Sequence, residues 1–220
     1  RLSDVIKRCY EYYHEGDDGV KMNLLKKAAE KFLDMDGLVP VLKISDYNTI
    51  GLTGTRQEKG SNWTGLVREI SATNKGNGKS GSFGVGKFAP FNFSALRTIV
   101  YSTYNKDNER ALQGKTILTT FMDEDGKLKQ NVGLFGMAGE DDCKAVYNME
   151  DVPETFQRKE YGTDLFVLGF EKDKDWMQQM AVSVLEYFFY TIFRGNLEVS
   201  IVDGDERIDI NQDNLPYLIK

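Results

Sequence analysis

The chain has 220 residues, 40% hydrophobic and 28% charged, the mix of a folded globular protein with material for one substantial core or two small ones. Its 28 Lys and Arg stand against 34 Asp and Glu, a formal charge of −6, which removes any chain-wide electrostatic case for DNA or an anionic membrane and leaves only local basic patches. Two distant cysteines, Cys9 and Cys143, and one histidine, His14, exclude a multi-histidine metal site and a well-supported histidine triad and suit a reducing, cytoplasmic compartment, while no run is apolar enough to span a bilayer or resembles a signal peptide.

The chain opens at Arg1 inside an amphipathic pattern and stops at NLPYLIK without a polar tail, so a piece of a longer protein is expected. Leu2, Val5, Ile6, Cys9 and Tyr13 recur at a helical period, which predicts a helix over 2–13. His14 follows it and reads as a solvated residue near a helix C-terminus. A second amphipathic helix is predicted from Lys21 to Leu33. Leu38 to Ile44 (LVPVLKI) reads as a buried strand ending in Ser45-Asp46.

From Asn48 to Gly84 periodicity is lost and Gly, Ser, Thr, Asn and Lys dominate. A loop of that length inside a domain is functional or a linker. Trp63, Leu66, Val67 and Ile70 are placed to form a small helix within it. After a glycine-opened helix, strands are predicted at Leu96–Tyr104, Lys115–Met122 and Lys129–Phe135, with a hairpin turn at DEDGK. Met137 to Glu160 carries no pattern, whereas Gly162 to Phe170 is a strongly apolar strand. Between Lys174 and Phe193 apolar residues come in pairs every four positions, Trp176-Met177 through Ile192-Phe193. That rhythm predicts a long helix with a broad buried face whose aromatic and methionine stripe is core packing. Leu197–Val202 and Arg207–Ile210 flank DGDE as a closing hairpin. The sum is an α/β two-layer sandwich, with helices on one face of a mixed, largely antiparallel sheet.

The passage GSFGVGKFAPFNFS, Gly81 to Ser94, is the densest chemical signal. Gly81, Gly84 and Gly86 permit close backbone approach and positive φ. A helix opening behind them directs unpaired N–H groups and partial positive charge outward, which favours phosphate. Lys87 adds a cation. The same residues nearly match the P-loop pattern GxxxxGK[ST], but Phe88 replaces the magnesium-holding hydroxyl, and no strand precedes the loop. Asp46 at a strand exit can accept a hydrogen bond from an exocyclic amine such as that of adenine, or it can simply make an Asx turn. Thr163, opening the apolar strand, has a hydroxyl able to reach a nucleotide or a water beside Asp46. Alone, Gly-Thr carries little information.

The order of these pieces, ISDYNTIGLTG, then SGSFGVGKFAPF, then YGTDLFVLGF, resembles the GHKL ATPase domain of gyrase B subunits, ninety-kilodalton heat-shock chaperones, histidine kinases and MutL. The resemblance implies a single Bergerat-type ATP-binding domain over 1–220, with residues 48–83 as a mobile lid. It implies that Asp46 binds the adenine amine and that Asn48 and Gly51 shape the turn beneath the base. It also implies that Gly81, Gly84, Gly86 and Lys87 meet the phosphates and that Thr163 completes the base pocket. ATP with Mg2+, an ATP-driven homodimer, attached effector domains and a role in bacterial antiviral defence are further implications. Two departures stand out. Asn48 takes the first glycine of the family's DxGxG, with Gly51 one residue late; asparagine tolerates the left-handed geometry. The family's water-activating glutamate and magnesium-binding asparagine have no counterpart on a helix before Asp46, so the catalytic pair is expected upstream or is missing. A non-enzymatic reading stays open, in which Arg56, Lys59, Lys75 and Lys79 contact a partner protein or nucleic acid, or merely solvate a loop.

Overall fold

The computed structural model describes residues 2–12, 16–34, 38–69, 85–139 and 143–218. Contacts group the chain into two compact units, Arg1–Glu171 and Lys172–Lys220.

The first unit begins with α1 (Leu2–Tyr12) and α2 (Gly16–Ala29), which runs into a π-helical turn at Glu30–Asp34. Leu2, Val5, Ile6 and Cys9 of the predicted stripe do face one cluster, and Tyr13 lies outside the described residues. Ile6 and Cys9 are buried against Met22, Leu25, Ala29 and Phe32, and Leu96 closes this cluster. His14 lies outside the described residues. Then come β1 (Val41–Ser45), α3 (Asn62–Val67), a 3-10 turn at Val85–Phe88 and α4 (Ala89–Asn92). The strands β2 (Thr98–Tyr104), β3 (Arg110–Ile117), β4 (Phe121–Met122), β5 (Leu128–Lys129), β6 (Val132–Phe135), β7 (Met137–Ala138) and β8 (Cys143–Lys144) follow, and β9 (Gly162–Leu168) ends the series. The stretch without a sequence pattern, 137–160, contains only two-residue strands, single 3-10 turns and loop among its described residues.

Five strands form one sheet in the order β1-β9-β2-β3-β6, and each neighbouring pair is antiparallel. The unit is therefore mixed α/β, built on an antiparallel sheet with helices packed against it. Alternation along the strands separates two faces. Ile99, Tyr101 and Val167 lie on one face, beneath Trp63 and Val67 of α3 and Phe91 of α4. Val100, Leu112 and Phe166 lie on the other, beneath Val152. α3 starts where it does because Ser61 caps it: its hydroxyl accepts from Thr64 N while the Thr64 hydroxyl accepts from Ser61 N, a reciprocal capping box.

Three predicted strands need correction. The one expected at Lys129–Phe135 is in two pieces: Leu128–Lys129 pairs with Phe121–Met122 across the DEDGK turn, and Val132–Phe135 pairs with β3. The strand expected at Lys115–Met122 begins earlier, at Arg110, because Asn105 closes a tight β2–β3 turn: its side-chain oxygen accepts from Asp107 N and Glu109 N, each at 3.0 Å. The strand expected to be buried at Leu38–Ile44 is an edge strand. Among the described residues β1, which starts only at Val41, pairs with β9 alone; Ile44 on it is 44% exposed, and Leu38 ahead of it is 96% exposed.

The second unit holds α5 (Trp176–Phe193), the hairpin β10 (Val199–Asp203) and β11 (Glu206–Ile210), and α6 (Leu215–Leu218). α5 ends in a left-handed Gly195, whose N–H donates to Ile192 O while Asn196 N donates to Thr191 O. The predicted helix is present but its buried face is narrow. Met177 and Ile192 are buried with Ile201, Ile210 and Leu215, whereas Tyr187, Phe188, Phe189, Tyr190 and Phe193 are exposed. One short hairpin covers one stripe of a helix, so both Phe188 and Phe189 stay outside and, of the last pair, only Ile192 is buried; Phe189 and Phe193 stack on each other, 6.1 Å between centroids.

Candidate functional site

Asp46 is the residue on which the antiparallel pair β1–β9 ends. Ser45 is the last β1 residue in register, opposite Asp164. One step on, Asp46 N donates to Thr163 O at 3.1 Å, and the Asp46 carboxylate accepts the Thr163 N–H through Oδ1. Its Oδ2 accepts the Thr49 hydroxyl at 2.7 Å. Two sequence pieces more than a hundred residues apart thus meet at a single exposed carboxylate. The Thr163 hydroxyl lies 3.2 Å from that of Thr103, and Thr103 in turn donates to Gly162 O. Behind the Asp46 peptide stands Arg158, 4% exposed. It donates to Asp46 O, to Tyr161 O at 3.3 Å, to Glu160 O at 3.0 Å and to Asp164 Oδ1 at 2.7 Å. Asp164, 1% exposed, also pairs with Lys43 at 3.2 Å.

The turn after Asp46 keeps the left-handed geometry expected of asparagine, with φ +57° at Asn48. Gly51 follows at φ +67°, and the chain itself requires a glycine there. A Cβ would overlap Tyr104 O and approach Asn105 Cα to 2.9 Å. The segment is sewn to the β2–β3 turn by Lys106 N to Ile50 O, Leu52 N to the Thr103 hydroxyl and Asn105 Nδ2 to Leu52 O, all at 2.9 Å. Farther along, Glu109 accepts from Thr55 N, the Thr55 hydroxyl and Asn105 Nδ2. Burial pushes the Glu109 carboxyl up, but these bonds outweigh it and hold it below the usual glutamate range.

Of the glycine passage, Gly81 and Gly84 lie outside the described residues, as do Lys75 and Lys79 and the rest of 70–84 in the expected lid. Gly86 is exposed on the 3-10 turn, and a Cβ there would meet nothing within 4 Å. Lys87 turns inward: its ammonium donates to Gly65 O at 2.8 Å and to Glu69 O, tying the turn to the end of α3. Burial lowers its pKa, opposed by nearby Glu69. Beneath Phe88 sits Lys115, 1% exposed, its Nζ 5.8 Å from the Phe88 ring. Burial, with Lys87 adding repulsion, lowers it from 10.5 to about 8. On the same sheet face, Tyr101 OH and Gln113 Oε1 are buried without a hydrogen bond among the described residues. α3 links the two regions through Trp63 N to Thr53 O, although no contact joins Gly86 to Asp46 among the described residues.

A cleft of about 430 Å3 opens on the Asp164 side of the network, lined by Lys43, Tyr47, Lys159 and Arg158 among others; neither Asp46 nor Gly86 lines it. Arg56 stacks on Tyr147, 4.2 Å from the ring centre, a packed position for one of the four proposed partner contacts. Among the described residues no group of three or more His, Cys, Asp and Glu is placed to hold a metal, and no helix is long and apolar enough to cross a membrane. Arg158, Asp164 and Thr103 were not legible as site residues. Their one trace is a pair of adjacent polar residues at one end of an apolar strand, Ser102-Thr103 in β2 and Thr163-Asp164 in β9; Arg158 lies in a loop without pattern. No protein-family model matches the chain, and no curated protein matches it in sequence.

Proposed function

We propose that this chain is a nucleotide-binding domain of the GHKL type, with a Bergerat-type sheet in which Asp46 reads the exocyclic amine of adenine. The supporting observation is the meeting of Asp46 and Thr163 at one exposed carboxylate. A carboxylate has about four lone-pair sites, and two protein donors leave room for a ligand amine. In this reading Asn48 and Gly51 form the turn beside the base, Thr163 closes the pocket, and Gly81, Gly84 and Gly86 supply phosphate contacts. Lys87 joins them by exchanging its bonds to α3. Closure of 48–83 on bound ATP then biases attached domains toward dimerisation. The family's water-activating glutamate and magnesium-binding asparagine have no counterpart in this sequence, so no hydrolytic step is assigned to its residues.

Calorimetric titration with ATP tests the reading. Asp46→Asn abolishes binding while the far-ultraviolet spectrum stays unchanged; an unaltered affinity removes Asp46 from the site. A bulky residue at Gly86 weakens triphosphate far more than adenosine, and equal losses argue against a phosphate role there.

A further inference from the structure

The backbone of Asp46 is held by a side chain from a distant segment with no sequence pattern of its own. Arg158 is buried, and its fork is fully directed: Nη1 to Asp164, Nη2 to Asp46 O and Tyr161 O, Nε to Glu160 O. Asp164 is fixed in its turn by Lys43, and the Tyr47 ring lies 4.5 Å from the guanidinium carbon. Gly162 leaves space for this arrangement, since a Cβ there would come within 2.6 Å of Arg158 Nη2. The backbone of Asp46 is therefore held on both sides of its Cα, at its N–H by Thr163 O and at its carbonyl by Arg158.

We infer that Arg158 is the positioning residue for Asp46: its guanidinium sets the rotation of the Asp46 peptide, aims the carboxylate at an incoming amine, and so determines preference for a 6-aminopurine nucleotide. This rests on the ATP reading of Asp46. The chemistry requires arginine. A lysine ammonium carries three donors on a flexible stem and lacks a planar fork, so it cannot hold Asp164 and the Asp46 carbonyl in the same fixed geometry. Loss of one well-aimed hydrogen bond at the amine corresponds to about a tenfold change in affinity.

The experiment is calorimetric titration of wild type and Arg158→Lys with ATP and with purine riboside triphosphate, which has hydrogen in place of the amine. Wild type prefers ATP. In Arg158→Lys, ATP binding weakens about tenfold while purine riboside triphosphate keeps its affinity, which also shows that the variant is folded. Arg158→Gln, which retains donors without charge, gives the same selective loss. Equal weakening for both nucleotides, including loss of both through unfolding, or no change for either, overturns the positioning role. A wild-type protein that binds neither overturns the ATP reading itself, and one that binds both equally well removes the amine contact on which the inference stands.

Discussion

At the exit of β1, the buried ions Arg158 and Asp164 hold each other and Arg158 grips the Asp46 carbonyl, whereas beneath the Val85–Phe88 turn Lys115 has no ion pair or hydrogen bond among the described residues, and Tyr101 OH and Gln113 Oε1 stand unpaired beside it. Both clusters belong to the same five-stranded sheet, so the contrast is not one of core against surface. A closed polar network fixes the geometry of whatever it touches; an open one lowers stability, because desolvated groups have lost water and gained little. The first cluster is built to hold Asp46 still. Among the described residues, the second lacks the partners that would do the same.

Breaking the closed network has the largest expected effect. Asp164→Ala leaves Arg158 buried without its counter-ion and lowers stability by about 3–5 kcal/mol, read as a shifted urea midpoint at constant m-value. A loss below 1 kcal/mol would erase the contrast. Relieving the open cluster goes the other way. Lys115→Met removes a buried ammonium and stabilises the fold by roughly 2–3 kcal/mol near neutral pH. The same residue sets a pH signature. Its folded-state pKa, about 8, lies below the ordinary 10.5, so between those values the unfolded chain holds a proton that the folded chain has released. Stability therefore rises from about pH 8 toward 10, and in Lys115→Met that slope shrinks to the smaller rise that the lowered Lys87 still contributes. Tyr101, whose phenol burial raises, opposes the rise only above the ordinary tyrosine range.

Smaller effects sharpen the picture. Gly51→Ala forces a side chain into left-handed backbone against Tyr104 O and costs about 2 kcal/mol in thermal unfolding, together with weaker anchoring of the Asp46 turn. Ser61→Ala removes the α3 cap for about 1 kcal/mol, detectable by the same melt. If Ser61→Ala costs as much as Gly51→Ala, the Asp46 turn is no more tightly specified than an ordinary helix end.

Local chemistry was legible where it depends on near neighbours. The stripe of α1, the left-handed Asn48, the α3 segment and the apolar strand β9 all follow from period, turn preference or propensity. Exposure was less legible. Ile44 is as apolar as a core-strand residue yet sits at a sheet edge, Leu38 lies exposed ahead of that strand, and the late pairs of α5 are as apolar as a buried helix yet have one hairpin to cover them. Hydrophobicity states what a segment prefers, and the supply of neighbouring surface decides how much is satisfied.

By itself, the order of residues determined which carboxylate leaves an apolar strand, which turn must be left-handed and where polar groups interrupt apolar runs. Tertiary structure alone decided that Thr163 meets Asp46, that Arg158 stands behind both, and that Lys87 faces α3. The register of β1 against β9 brings Thr163 to Asp46, whereas Arg158 and Lys87 reach their partners from a loop and a 3-10 turn whose paths no spacing along the chain specifies.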